Sequence, residues 1–112
     1  MKIRISDLDS KTIIVEIEAH DDGPIVDALK TRGHGYAIYG ESIEIPMMVI
    51  DGRLLDEVWC TQDHMWAIEA HELGHITTNS IDEAIAEKAG IKILENHKKF
   101  KAANLLKTRG II

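Results

Sequence analysis

Hydrophobic residues in the first part of the chain recur with the two-residue period of β-strands. Isoleucines alternate with a basic residue over residues 3–5, and β-branched residues dominate residues 13–17. Turn-forming residues at 7–10 separate the two stretches, so the pattern predicts an N-terminal β-hairpin. Pro24 suits the first turn of a helix, and the short apolar face after it stops before Gly33, which predicts a first helix there.

A second β pattern covers residues 36–50. Gly40 and Glu41 break the run, apolar and polar residues alternate through residues 42–45, and Pro46 follows. Proline cannot donate a hydrogen bond to a neighbouring strand, so it is confined to the edges and ends of sheets. We therefore predict an edge strand at residues 40–45, and a turn at residues 51–52 after it.

The hydrophobic period becomes helical in the second half of the chain. Apolar residues at i, i+4 and i+7 predict a helix over residues 62–76, in which Gly74 indicates close approach of the next helix. Ser80 is predicted to cap a second helix, which Gly90 interrupts or ends. A third, amphipathic helix is predicted over residues 96–107. Strands followed by helices are typical of an α+β domain with a twisted N-terminal sheet.

Length and composition limit the chain to one unit. Its 112 residues, 45% of them hydrophobic, suffice for one modest core. Only two prolines occur, and no Gly/Ser-rich or low-complexity stretch marks a linker. Residues 1–112 are therefore predicted to form a single domain.

Charge, hydropathy and cysteine content narrow the range of partners. The net charge of -6 argues against nucleic-acid binding, which depends on basic side chains. The longest apolar run, residues 45–50, is too short to span a membrane, and no signal-peptide pattern opens the chain. The single Cys60 fits a reducing compartment. We predict a cytoplasmic protein without membrane or nucleic-acid partners, of open oligomeric state.

One motif carries most of the chemical information. His71, Glu72 and His75 form an HExxH motif within the predicted helix at residues 62–76. Residues four apart lie one above the other on a helix, so both imidazoles can bind one zinc ion. Zinc raises the acidity of water, and Glu72, next to a ligand, is placed to take up the proton as general base.

A catalytic zinc site usually has a third protein ligand. The metzincin spacing would require glycine at 78 and histidine at 81, but the chain has Thr78 and Ile81, which excludes that subclass. Downstream, Glu83 and Glu87 lie one helical turn apart on the same side of the predicted second helix. One of them is predicted to bind the metal and the other to support it, and the spacing leaves the choice open.

With this motif and a following glutamate helix, the chain resembles gluzincins, zinc metallopeptidases in which a glutamate from a second helix completes the site. Glu83, Ala86 and Glu87 fit the spacing common in that group. The short chain resembles minigluzincins, its roughly hundred-residue members. The resemblance implies a zincin-like fold, Glu83 as third metal ligand, and Glu87 as the acceptor that orients the His71 imidazole. It also implies that the edge strand, at residues 42–46, binds an extended peptide.

The predicted function is zinc-dependent hydrolysis of peptide bonds, with Zn²⁺ as cofactor and a peptide or protein as substrate. Glu72 would take the proton from the attacking water and later protonate the leaving amine. The alternative is a zinc-containing peptide-binding or regulatory module with little hydrolysis. A peptide deformylase is disfavoured, because its Glu-Gly-Cys-Leu-Ser segment is missing and Cys60 lies only eleven residues before His71.

Two details of this prediction stay open. His34, Tyr36 and Tyr39 precede the predicted edge strand, and each is a candidate donor to the oxyanion of a tetrahedral intermediate. Two apolar residues, Ile111 and Ile112, end the chain. Small members of the resembled group are kept latent by their own C-terminal segment, so the resemblance implies the same role for this ending.

Overall fold

The computed structural model describes residues 1–109 and has an α+β fold in which a four-stranded sheet precedes the long helices. The strands are β1 (Lys2–Ile5), β2 (Ile13–Glu16), β3 (Gly35–Ile38) and β4 (Met47–Ile50). The helices are α1 (Pro24–Asp27), α2 (Leu29–Arg32), α3 (Gln62–Thr78), α4 (Glu83–Asn96) and α5 (Phe100–Thr108). This order confirms the predicted fold class. The predicted role of residues 111–112 lies outside the described residues.

The sheet is mixed, with strand order β1-β2-β4-β3. Strands β1 and β2 form the predicted antiparallel hairpin, in which Ile3 faces Val15. Strand β4 runs parallel to β2 and antiparallel to β3. The first helix begins at Pro24 and ends before Gly33 as predicted, although a break at Ala28 divides it into α1 and α2.

The predicted edge strand at residues 40–45 is wrong. The edge strand is β3, at Gly35–Ile38, and residues 39–46 form the loop to β4. Gly40 has φ of +134°, a conformation that glycine tolerates and that turns the chain out of the sheet. The Pro46 carbonyl accepts a hydrogen bond from Ile13 N at 3.1 Å, so β4 begins only after the proline. The alternating residues are therefore exposed loop residues.

The helices begin and end near their predicted positions, with three corrections. Asp82, rather than Ser80, caps α4, because its carboxylate accepts a hydrogen bond from Ile85 N at 3.0 Å. Gly90 lies inside α4 and does not end it. The last helix starts at Phe100, because Lys98 has φ of +59° and interrupts the helical path after α4. The turn predicted at residues 51–52 opens a 3₁₀ helix.

Two glycines let the backbones of α3 and α4 touch. A Cβ on Gly74 would overlap the Ala86 carbonyl group, and one on Gly90 would lie 2.7 Å from the Ala70 carbonyl oxygen. A Cβ of any other residue would push the helices apart at both places. The close approach predicted at Gly74 is confirmed, and it brings the start of α4 over the middle of α3.

Two groups of buried side chains cover the two faces of the sheet. The larger group packs the sheet against α3, α4 and α5 and includes Ile14, Met48, Leu73, Leu94 and Leu106. The smaller group lies under α1 and α2 and includes Val15, Ile17, Val26, Leu29 and Val49. Within residues 1–109 there is no helix both long and apolar enough to cross a membrane.

A buried ion pair joins α3 to the N-terminal hairpin. Glu69, only 1% exposed, accepts hydrogen bonds from Arg4 Nη2 at 2.8 Å and from Ser6 Oγ at 2.7 Å. Arg4 also donates from Nε to Glu16 at 2.6 Å. A buried carboxylate is tolerated only when its charge is paired and hydrogen-bonded. These contacts therefore hold the middle of α3 against the sheet, two residues before the HExxH motif.

Candidate metal centre

Helix α3 brings the three residues of the HExxH motif together. Potential ligand atoms of His71, Glu72 and His75 all lie within 4.8 Å of one another. The two imidazole rings are 5.0 Å apart between centroids and nearly perpendicular. One helical turn separates them, which is the spacing that lets two imidazoles meet one ion. The three residues form a candidate metal-binding group.

Glu83, the first residue of α4, lies across from both imidazoles. Its Oε2 is 2.7 Å from His71 Nε2, and its Oε1 is 3.2 Å from His75 Nε2. Two ligand atoms that bind one tetrahedral zinc at its usual bond lengths are roughly 3.3 Å apart. The His75–Glu83 pair already has this separation, whereas His71 and Glu83 are in direct hydrogen-bond contact and would move apart by roughly 0.6 Å to share a zinc ion.

The proton on the His75 ring can be assigned from its partner. His75 Nδ1 is 2.7 Å from the Ser80 carbonyl oxygen. A carbonyl oxygen only accepts, so Nδ1 carries a proton, and Nε2 is the ring atom that faces Glu83. A hydrogen bond from one ring nitrogen to a main-chain carbonyl is typical of histidines that bind a metal through the other nitrogen, so this arrangement fits a metal ligand.

Ser80 orients His75 through its main chain, and Tyr39 contacts the same carbonyl group. The Tyr39 hydroxyl donates to Ser80 O at 2.9 Å, and its ring lies nearly parallel to the His75 imidazole with centroids 6.3 Å apart. Sequence reasoning missed the Ser80 carbonyl, because a main-chain group has no residue-type signature. Only the path of the α3–α4 connection reveals it.

Glu87 lies farther along α4, and within residues 1–109 no hydrogen bond or ion pair joins it to either imidazole. Its Oε2 is 3.9 Å from Arg109 Nε, and within residues 1–109 it has no hydrogen bond to His71. The predicted orienting bond from Glu87 to His71 is therefore not formed. Of the two glutamates that the spacing left open, Glu83 is the one beside both histidines.

Glu72 is buried and only partly satisfied. Its side chain is 7% exposed, and its Oε2 has no hydrogen-bond partner among the described residues. Burial and the nearby charge of Glu83 raise the pKa of the Glu72 carboxyl to about 8, against the opposing effect of Arg32. A cation held by the neighbouring imidazoles would lower this pKa again. The unpaired oxygen is a further observation that fits a bound cation.

The centre lies in a cleft made of two adjoining cavities of about 470 and 300 Å³. Both are lined by Arg32, Gly35, Glu72 and Glu83. Helix α3 is the floor of the cleft, the segment from α2 through β3 is its sheet wall, and the start of α4 is its helix wall. Within the described residues β3 pairs only with β4, so its free edge borders the cleft.

The remaining candidates from the sequence lie around or away from the cleft. The Tyr36 hydroxyl donates to the Ile25 carbonyl at 3.0 Å, whereas His34 lines the larger cavity and lies against Trp59. Cys60 is buried, with its sulfur 3.6 Å from that of Met65. Burial raises the pKa of the Cys60 thiol, which fits an inert core residue.

Comparison of the chain with protein-family models, with curated proteins and with solved structures gives no significant match. The fold class and the candidate metal group therefore rest on the structure described above. The resemblance to gluzincins stays a prediction from the motif and its spacing.

Proposed function

We propose that this protein is a zinc-dependent metallopeptidase. The observation that carries the proposal is the meeting of the His71 and His75 imidazoles with the Glu83 carboxylate, directly beside the buried Glu72. A site that only stabilises a fold would need no carboxylic acid beside its ligands. Two imidazoles and one carboxylate with a neighbouring glutamate are the donor set of a hydrolytic zinc centre.

His71, His75 and Glu83 would hold the zinc. When bound there, zinc supplies a Lewis acid that polarises a carbonyl group and raises the acidity of water. Glu72 accepts the proton from the attacking water and donates it to the leaving amine. Its burial on α3 supports this role, because burial raises the pKa of the Glu72 carboxyl and a bound cation opposes that rise, and a general base needs a pKa between these extremes.

The substrate that suits this cleft is an extended peptide. Within residues 1–109, β3 pairs only with β4, so its other edge lies along the sheet wall and a peptide can add to it as a further strand. Gly35 lies against α3, since a Cβ there would be in van der Waals contact with Glu72 Cγ at 3.6 Å. A peptide on this edge would therefore pass beside Glu72. Gly35–Ile38 replaces the predicted segment at residues 42–46 in this role.

Zinc content tests the ligand set. We expect about one zinc per chain after dialysis of the parent protein, because a three-ligand site with one open position is a typical catalytic zinc site. The Glu83→Ala variant should retain far less, whereas Glu87→Ala, the matched control on the next helical turn, should retain as much as the parent. A parent protein that binds no zinc after reconstitution would overturn the proposal.

The Glu72→Gln variant tests the chemistry. It should keep its zinc, because Glu72 is not a ligand in this proposal, and should lose cleavage of a peptide library. The alternative of a zinc-containing peptide-binding module predicts a zinc-loaded parent that binds peptides without cleaving them. Mass spectrometry of the library before and after incubation separates the two.

A further inference from the structure

Arg32 lies where the two cavities of the cleft meet. It is the last residue of α2, just before the edge strand β3. Within residues 1–109 it is the one basic side chain that lines both cavities. Glu72 also lines both cavities. Arg32 therefore shares the cleft with the group proposed as general base.

Arg32 is also the one arginine that forms no ion pair within residues 1–109. Arg4, Arg53 and Arg109 each lie within 4.0 Å of a carboxylate oxygen. Among residues 1–109, Arg32 forms no such pair. Its guanidinium carbon lies 5.5 Å from the ring centroid of Tyr36. A guanidinium beside an aromatic ring keeps its fork of N–H groups available for a planar anion.

The acidic groups of the cleft are otherwise engaged or buried. Glu83 contacts both imidazoles, Glu87 faces Arg109, and Glu72 lies in the floor. Within residues 1–109, none of these carboxylates therefore pairs with Arg32 on the sheet wall. The planar carboxylate of a peptide lying along β3 matches the guanidinium fork.

We propose that Arg32 is a specificity-determining residue that binds a carboxylate of the peptide substrate beside the scissile bond. This rests on the proposed peptidase function and names its substrate class. The carboxylate can come from an aspartate or glutamate side chain or from the C-terminus of the peptide. Both sources present the same planar group, so the structure predicts acidic or C-terminal peptide sites.

Cleavage mapping provides the first test. Tryptic peptides from a denatured cell extract are incubated with the zinc-loaded protein, and cleavage sites are mapped by mass spectrometry. Parent protein should favour sites with an acidic residue, or a free C-terminus, at one fixed distance from the cut. Arg32→Gln should lose this preference. Lys30→Gln removes a charge from the same helix outside both cavities, and should keep it.

Paired synthetic peptides then separate the two sources of the carboxylate. One pair carries Glu or Gln at the enriched position, and the other carries a C-terminal carboxylate or amide. Parent protein should prefer the carboxylate member of one pair by about fivefold in kcat/KM, as expected for an exposed charge-assisted pair. Arg32→Lys keeps the charge but lacks the fork, so it should retain only part of the preference.

Binding provides a readout without turnover. Fluorescence anisotropy measures the Kd of each labelled peptide for zinc-loaded Glu72→Gln protein, which should bind the carboxylate member of the pair more tightly. The double variant Glu72→Gln, Arg32→Gln should bind both members equally. Cleavage without a carboxylate preference, or a preference that survives Arg32→Gln, overturns the inference and leaves the peptidase function intact. An equal loss of kcat in Arg32→Gln for both peptides of a pair also overturns the inference, because it would indicate that Arg32 contacts the oxyanion of the reacting carbonyl and not a substrate carboxylate. A protein that neither binds zinc nor cleaves any peptide overturns the peptidase function, and the inference falls with it.

Discussion

The floor and the helix wall of the cleft both supply residues of the candidate metal centre, but they are held in place differently. His71 and His75 project from α3, whose middle is fixed by the buried pair between Glu69 and Arg4. Glu83 is 76% exposed, and no core contact of its side chain positions it. Its place follows from the crossing of α3 and α4. The positions of the imidazoles thus depend on burial and charge pairing, whereas the position of Glu83 depends on how closely the backbones of α3 and α4 approach.

The largest effect of a substitution on stability is expected at Glu72, in the floor of the cleft. Burial raises the pKa of Glu72 from 4.5 to about 8 in the metal-free protein. Its contribution to stability is full below pH 4.5 and is lost as pH rises through 8. Metal-free Glu72→Gln, which cannot ionise, should therefore be more stable than the parent at pH 8, by on the order of 4 kcal/mol.

Urea denaturation of chelator-treated protein at several pH values measures this difference. It should shrink towards zero near pH 4.5, where the carboxyl is protonated in both states. Glu87→Gln, a carboxylate on the helix wall, is the matched control and should follow the parent. A constant difference between Glu72→Gln and the parent at all pH values would mean that burial does not govern this carboxyl.

The second-largest effect is expected from loss of the ion pair between Arg4 and Glu69, which holds α3 against the hairpin. Arg4→Met leaves the Glu69 carboxylate buried without its charged partner, so we expect the free energy of unfolding to fall by about 3 kcal/mol. Chemical denaturation measures the loss. The double variant Arg4→Met, Glu69→Met should recover much of it, because both charges are gone. If the double variant is no more stable than the single one, packing rather than charge holds α3 to the hairpin.

The helix crossing is the corresponding test of the wall. Gly74→Ala places a methyl group against the Ala86 carbonyl, so α4 must shift. We expect a loss of about 2 kcal/mol in stability and a clear loss of zinc affinity, because the shift moves Glu83. Chelator competition measures the affinity. Lys88→Ala, at an exposed position of α4, should change neither quantity, and zinc affinity that survives Gly74→Ala would separate Glu83 from the crossing.

The smallest effect is expected from a substitution at Tyr39, whose hydroxyl contacts the Ser80 carbonyl in the connection between α3 and α4. Tyr39→Phe removes one of two hydrogen bonds to the Ser80 carbonyl and leaves the bond from His75 in place. We expect roughly fivefold weaker zinc binding, because orienting contacts outside the ligand set tune metal affinity, and stability changed by less than about 1 kcal/mol. Tyr36→Phe, whose hydroxyl bonds to Ile25 instead, is the matched control. Equal zinc affinity in both variants would show that Tyr39 does not act through Ser80.

Local residue patterns predicted the presence of helices and strands better than they predicted which of them pair or pack together. The N-terminal hairpin and helix α3 follow from residue periods that each segment carries by itself. The edge strand was misplaced because residues 40–45 alternate as a strand would, while pairing with β4 takes place at Gly35–Ile38. By sequence alone, Gly90 predicts an interruption or end of the helix, because its role in close packing is visible only where α4 meets the carbonyl of Ala70.

The sequence by itself determined the α+β order, the helical HExxH motif and the small set of glutamates that can complete it, because spacing along one helix decides which side chains share a face. Only the tertiary structure decided between Glu83 and Glu87, assigned the Ser80 carbonyl to His75, and brought Arg32 to the junction of the cavities. These contacts join segments far apart in the chain, and they depend on packing distances that no local residue pattern encodes.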